Sequence, residues 1–115
     1  MVFLGGGLGS LARYGTGKAV LQVYSGSFPV GTLLANLISC VVLGVLVWMV
    51  AQQRISEQWA AFAVIGFCGG FSTFSTFSYE TLKLAQDGAW MFVFLNVLVS
   101  IAAGIAAIYL VQRSL

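Results

Sequence analysis

Polar side chains punctuate this chain at wide intervals instead of alternating along it. No residue but tyrosine and cysteine is ionisable between Lys18 and Arg54, between Glu57 and Glu80, or between Asp87 and Arg113. Each gap exceeds the ~20 apolar residues that carry a helix across the hydrocarbon of a bilayer. The pattern predicts spans over about 29–51, 59–83 and 90–112, and a fourth over about 2–21 that is apolar and glycine-rich but holds Arg13. The expected architecture is an all-α integral membrane protein, a single four-helix membrane domain over 1–115 with short loops.

Each span carries its own signals. In the first, Gly5, Gly6, Gly7, Gly9, Ala12 and Gly15 repeat small residues at four-residue spacing, which permits close backbone contact with a neighbouring helix. The second opens at Phe28-Pro29, and proline suits a first helical turn because its missing N–H would be unpaired anyway. In the third, Gly69-Gly70 followed by Ser72 and Thr73 predicts a helix broken near mid-membrane. Trp59 and Trp90 stand at span starts, where interfacial anchors belong.

Composition agrees with this picture and removes several classes of function. The chain is 60% hydrophobic and 7% charged, with a mean hydropathy of +1.01, far from a water-soluble domain. The apolar run at the start flows into Arg13-Tyr14 without a small-residue cleavage site, so it reads as a retained helix. Cys40 and Cys68 both fall inside spans and read as buried free thiols. With no histidine and no Cys/His cluster, the usual haem and zinc sites lack ligands. The basic residues are scattered, not patched, which argues against nucleic acid as a partner. An enzyme is not expected, since three acids and no histidine cannot supply a nucleophile, a base and an orienting group. Basic residues divide evenly between the loops on the two sides, Arg54 and Arg113 against Lys18 and Lys83, so insertion has no preferred direction. Dual topology yields an antiparallel dimer, and four short helices enclose so little volume that an aqueous path is expected between subunits.

Candidate chemistry concentrates in 66–80. At ~100° per residue, Phe67, Phe71, Phe74 and Phe77 share an arc of about 120°, with Ser72, Thr73 and Thr76 roughly opposite. Phenylalanine stripes commonly fill packing or lipid-facing surfaces; alternatively, rings turned edge-on to a path stabilise an anion without a full charge that would trap it. Thr32 and Asn36 stand one turn apart on the second span, and Asn36 either offers N–H donors to a pathway or bonds a neighbouring helix. Gly69 and Gly70 expose carbonyls that need a donor or a small cation. Arg13 must find a partner or snorkel into a vestibule, where it can also draw anions. Glu80, near the end of the third span, reads as a solvated carboxylate.

Three stretches resemble the CrcB/Fluc family of fluoride channels over essentially the whole chain: Gly-Gly-Gly-Leu-Gly-Ser-Leu-Ala-Arg-Tyr at 5–14, Pro-Val-Gly-Thr-Leu-Leu-Ala-Asn at 29–36, and Gly-Phe-Cys-Gly-Gly-Phe-Ser-Thr-Phe-Ser-Thr-Phe-Ser at 66–78. The third is highly specific. The resemblance implies an antiparallel, dual-topology dimer with two narrow pores in a bacterial cytoplasmic (inner) membrane, passing fluoride down its electrochemical gradient without ATP. It implies that Asn36 lines a pore and that Phe74 and Phe77 turn ring edges to fluoride; Thr32, Thr76 and Ser100 are the further polar side chains expected along that pore. It further implies that the carbonyls of Gly69 and Ser72, from both subunits, hold a central structural sodium ion (Na+). Where the family often shows a serine and a threonine in span four, this chain has Gly104 and Ile108, leaving Asn96 and Ser100 as the strongly polar residues there before Gln112. A heterodimer with a paralogue is the variant assembly. A small multidrug-type antiporter would need an acid in span one, where this chain has Arg13. A packing subunit of a larger complex would leave Asn36 and the Phe-hydroxyl stretch without a purpose.

Overall fold

The structure, a computed structural model, describes residues 1–115. Its elements are helices α1 (Val2–Val23), α2 (Val30–Ala51) and α3 (Glu57–Ala60), a π-helical stretch (Ala61–Cys68), then α4 (Gly69–Phe71), α5 (Phe74–Gln86) and α6 (Trp90–Ser114). They make four long helical stretches and no strand. Three of these, Val30–Ala51, Glu57–Gln86 and Trp90–Ser114, are long and apolar enough to cross a membrane. Helix α1, at 22 residues or ~33 Å, has the length but not the apolarity, because its glycines, Arg13 and Lys18 dilute it. Only 13 of the 115 residues are buried, and large apolar side chains such as Phe3, Val23 and Met91 point outward. A surface of that kind needs lipid or protein against it, and with three candidate spans the chain is a multi-pass membrane protein.

Close packing follows from glycine. Gly5 and Gly9 of α1 face Gly66 and Gly70 of the third stretch, four residues apart on each side. A Cβ on Gly5 would strike the Phe62 carbonyl oxygen, and one on Gly9 would strike that of Phe67. In return, a Cβ on Gly66 would lie 2.8 Å from the Val2 oxygen. The two backbones thus touch, as the small-residue spacing of the first span predicts. On the other side α2 packs on α6, with Gly44 set against Val111 and Ile108, and Gly104 against Cys40.

The third stretch changes neighbours partway along. Its first part, through Phe71, packs on α1 and α2, whereas α5 packs chiefly on α6. Between them Ser72 (φ −80°, ψ 158°) and Thr73 (φ −151°, ψ 122°) are extended. The interruption falls two residues beyond the glycine pair that the sequence points to, because Gly69 is helical (φ −63°, ψ −36°) and Gly70 is pressed against Gly6 and Ser10 of α1. Hydroxyls make the interruption tolerable. Ser72 donates both its backbone N–H (3.0 Å) and its Oγ–H (2.9 Å) to the Cys68 carbonyl, and Thr73 Oγ1 caps α5 by accepting the Thr76 N–H at 3.2 Å.

Candidate functional site

The change of neighbours opens a cleft. Because α5 leaves α1 to lie on α6, space remains between the second half of α1, the start of α2 and the face of α5. It forms a cavity of about 780 Å³ lined by Arg13, Lys18, Thr32, Thr76, Glu80 and Lys83 among others. An adjoining, more open cavity of about 440 Å³ shares Arg13, Thr32 and Thr76 and reaches Ser10 and Thr73 at the interruption itself. Three of the chain's five basic residues, Arg13, Lys18 and Lys83, and the hydroxyls of Ser10, Thr32, Thr73 and Thr76 therefore border one continuous cleft.

Its electrostatics favour anions. Gly31 and Thr32, in the first turn of α2, and Thr76, in the first turn of α5, line the second cavity, so two helix N-termini border the same space, with the Thr76 N–H already given to the Thr73 cap. Arg13 adds a full positive charge beside them. Broken-helix N-termini within a membrane stabilise anionic groups in this way. At the mouth, Lys18 and Lys83 offset Glu80 and Asp87, and Glu80 Oε1 is buried without a hydrogen-bond partner.

Asn36 does not line either cavity; it holds the interruption. Its Oδ1 accepts the Thr73 N–H at 2.7 Å while its Nδ2 donates to the Thr73 carbonyl at 3.2 Å. Three residues on, Ser39 donates its hydroxyl to the Cys68 carbonyl at 3.1 Å. One face of α2 thus satisfies backbone groups on both sides of Ser72. Of the two roles the sequence left open for Asn36, the interhelical bond is present, and one of its two amide N–H bonds stays uncommitted.

The other expected residues are dispersed. Thr32, Thr76 and Arg13 meet in the cleft. Phe74 is 79% exposed, with its ring centroid 6.0 Å from that of half-buried Phe77. The phenylalanine arc is divided by the interruption, since Phe67 pairs edge-on with buried Phe71 at 5.6 Å. Ser100 lies away from the cleft and donates to Asn96 Oδ1 at 3.4 Å. Asn96, 1% exposed, donates in turn to Thr81 Oγ1 at 2.9 Å. Gly69 is exposed, and its carbonyl has lost its ordinary partner, the Thr73 N–H, to Asn36. The Ser72 carbonyl receives no hydrogen bond from the backbone outside the helices. Ser39, Thr81 and Asn96 escaped the sequence reading as site residues; the one signal was Asn96 as a strongly polar residue in an otherwise apolar span.

Fold and cleft together define a small multi-pass membrane protein that collects its polar groups around an interrupted helical stretch and offers them to an anion. The family model described as "CrcB-like protein, Camphor Resistance (CrcB)" matches residues 1–111. The chain belongs to this family. It is 43% identical over 111 residues to the "Fluoride-specific ion channel FluC" of Pyrococcus abyssi (strain GE5 / Orsay), covering 96% of this chain and 89% of the relative. It is 39% identical over 113 residues to the protein of the same name in Shewanella baltica (strain OS155 / ATCC BAA-1091), covering 98% and 91%. A further relative of that name, from Geobacter sp. (strain M21), is 46% identical over 99 residues, or 85% of this chain and 80% of its own length.

Proposed function

We propose that this chain is a subunit of a fluoride-selective channel that lets cytoplasmic fluoride leave the cell down its electrochemical gradient. The observation that carries the proposal is the cleft: two helix N-termini, Arg13 and a line of hydroxyls converge on Thr73, in a chain whose relatives bear the name of fluoride-specific channels. Fluoride holds its water tightly, so a pathway must replace that hydration with N–H and O–H donors and positive ring edges while avoiding a charge that would trap the ion. Thr32 and Thr76 offer hydroxyls in the cleft; Asn36, Phe74 and Phe77 stand outside its lining, and in this reading they act where a second copy meets it, Asn36 with one N–H to give and the two rings with their edges. Arg13, in the vestibule, raises the local anion concentration. No group is arranged for bond-breaking chemistry, and the protein works as a conduit, not an enzyme.

The working unit in this reading is an antiparallel homodimer in a bacterial cytoplasmic membrane, with α1 crossing beside its neighbours. Supporting it, α1 is shielded along one face by backbone contact with the third stretch, while much of the remaining apolar surface needs lipid or a second copy against it. A structural sodium ion suits the carbonyls of Gly69 and Ser72. Both lack their helical donors, and a Cβ on Gly69 would meet nothing within 4 Å, so a second copy has room to approach. An ion so held would lock two copies together through hard oxygen ligands.

The test is passive efflux from fluoride-loaded liposomes, read with a fluoride electrode while a potassium ionophore balances charge. Fluoride is expected to leave and chloride to stay. Phe74→Ile is expected to abolish efflux and leave assembly intact, because a 79% exposed ring contributes little to the subunit's own packing. Absence of release by the unsubstituted protein would overturn the reading.

A further inference from the structure

Helix α5 has unusual mechanical needs. It holds 13 residues, is cut from the preceding helix by two extended residues, and lies mainly on α6. Apolar contacts alone are non-directional and leave a short helix free to rotate or slide. At its start the Asn36 pair with Thr73 fixes it to α2. About two turns further on, at Thr81, a second asparagine holds it from the other side.

That second hold is a directed chain. Thr81 Oγ1 donates its single proton to the Phe77 carbonyl at 2.7 Å, so it can only accept from Asn96. Asn96 must then present Nδ2 and not Oδ1 to Thr81, and the Ser100 hydroxyl, 3.4 Å from Oδ1, holds the amide in that sense. Proton direction is consistent from Ser100 through Asn96 and Thr81 to the backbone of Phe77. Asn96 is 1% exposed, and a buried amide among apolar neighbours is poorly explained by packing, which leucine would serve as well.

We infer that Asn96 is a positioning residue for the pore: through the Thr81 hydroxyl it sets the rotation of α5 and with it the ring of Phe77. The inference rests on the channel reading for its functional consequence but not for its geometry. Neither Asn96, Thr81 nor Phe77 lines the cleft; the channel reading is what puts Phe77 on the pathway, and Asn96 and Thr81 reach it through its backbone carbonyl.

The experiment places a single 4-fluorophenylalanine at position 77 and records its ¹⁹F resonance in purified protein, alongside fluoride efflux without the label. Thr81→Val and Asn96→Leu are each expected to shift or broaden the resonance and to slow initial efflux about tenfold, as when a positioned group is misplaced by a fraction of an ångström. The fraction of liposomes that empty should not change, whereas a purely structural loss would lower that fraction at unaltered rate. Thr81→Ser keeps the hydroxyl and should restore both readouts. The double variant should be no worse than either single one, because both break the same chain. If Asn96→Leu fails to purify as a monodisperse species, the Thr81→Val and Thr81→Ser pair decides the matter. An unmoved resonance and unslowed efflux in Thr81→Val, or additive losses in the double variant, would overturn the inference. A moved resonance with no efflux from the unsubstituted protein would sink the channel reading and leave the positioning of Phe77 standing.

Discussion

Asn36 shows how one side chain can serve backbone and pathway together. An interrupted helix leaves backbone N–H and C=O groups unpaired, and in a membrane no bulk water repairs the loss. Its amide gives and takes one bond each with Thr73 from two separate atoms, which a carboxylate, an acceptor only at neutral pH, cannot do. Thr32, one turn earlier on α2, is its counterpoint: it lines both cavities, and its hydroxyl makes no hydrogen bond within the fold. Replacement should separate the two roles. Asn36→Leu strands two backbone groups at about 1–3 kcal/mol each and should lower both thermal stability in detergent and fluoride efflux. Thr32→Val should lower efflux while leaving the melting temperature within about a degree, a shift well below that of 1 kcal/mol in a domain of this size. Fluorescence-detected melting and liposome flux on the same preparations read both. Equal melting temperatures for wild type and Asn36→Leu would mean that the Thr73 bonds do not hold the interruption.

At the scale of elements, glycine position decides whether helices can meet. Gly9 faces the Phe67 carbonyl, where any Cβ forces the backbones apart, whereas a Cβ on Gly7 would meet nothing within 4 Å. Gly9→Leu is therefore expected to split α1 from the third stretch at several times the cost of ordinary overpacking, about 1–3 kcal/mol, and to abolish assembly seen by size exclusion. Gly7→Ala should fold normally and gain up to about 1 kcal/mol of helix propensity. These contacts were partly legible in the chain: four-residue glycine spacing announces a close approach, and the third stretch carries the matching pair at 66 and 70. Where the helix would open was less legible. Two glycines look like the weak point, yet here Gly70 serves packing against α1, and the backbone opens instead at Ser72-Thr73, whose hydroxyls can supply the missing partners. The Asn96–Thr81 bond was not legible at all, since nothing in a single sequence says which polar residues of two apolar helices face each other. Such interhelical bonds average only about 0.6 kcal/mol, so they reveal themselves by geometry more than by stability.

Over the whole molecule, the two ends are unlike although their loop charges balance. Lys18 and Lys83 stand at the mouth of the cleft, and Arg54, stacked 4.7 Å from the Trp48 ring centre, stands with Arg113 at the opposite end. The principal extents of 48 × 29 × 23 Å put the long axis beyond a ~30 Å hydrocarbon layer, so both ends reach water. A single orientation would open every cleft to the same side of the membrane. Copies inserted both ways would give each side one cleft, and two clefts related by a two-fold axis could meet between subunits to make a route right across. Equal basic residues on the two sides are what such indifference requires. A cysteine at Gln53, in the α2–α3 turn, makes the distribution measurable, because buried Cys68 and half-buried Cys40 sit within spans and should escape an impermeant maleimide. In sealed cells about half of the Gln53→Cys copies should label, and the rest only after permeabilisation. Converting Gln52 and Gln58 to lysine in the Gln53→Cys protein should then drive that end to the cytoplasm, leave few oppositely inserted partners, and reduce fluoride efflux in proportion to the labelling bias. Complete labelling or complete protection of the Gln53→Cys protein, with efflux intact, would show that one orientation suffices and that the route runs through parallel copies instead.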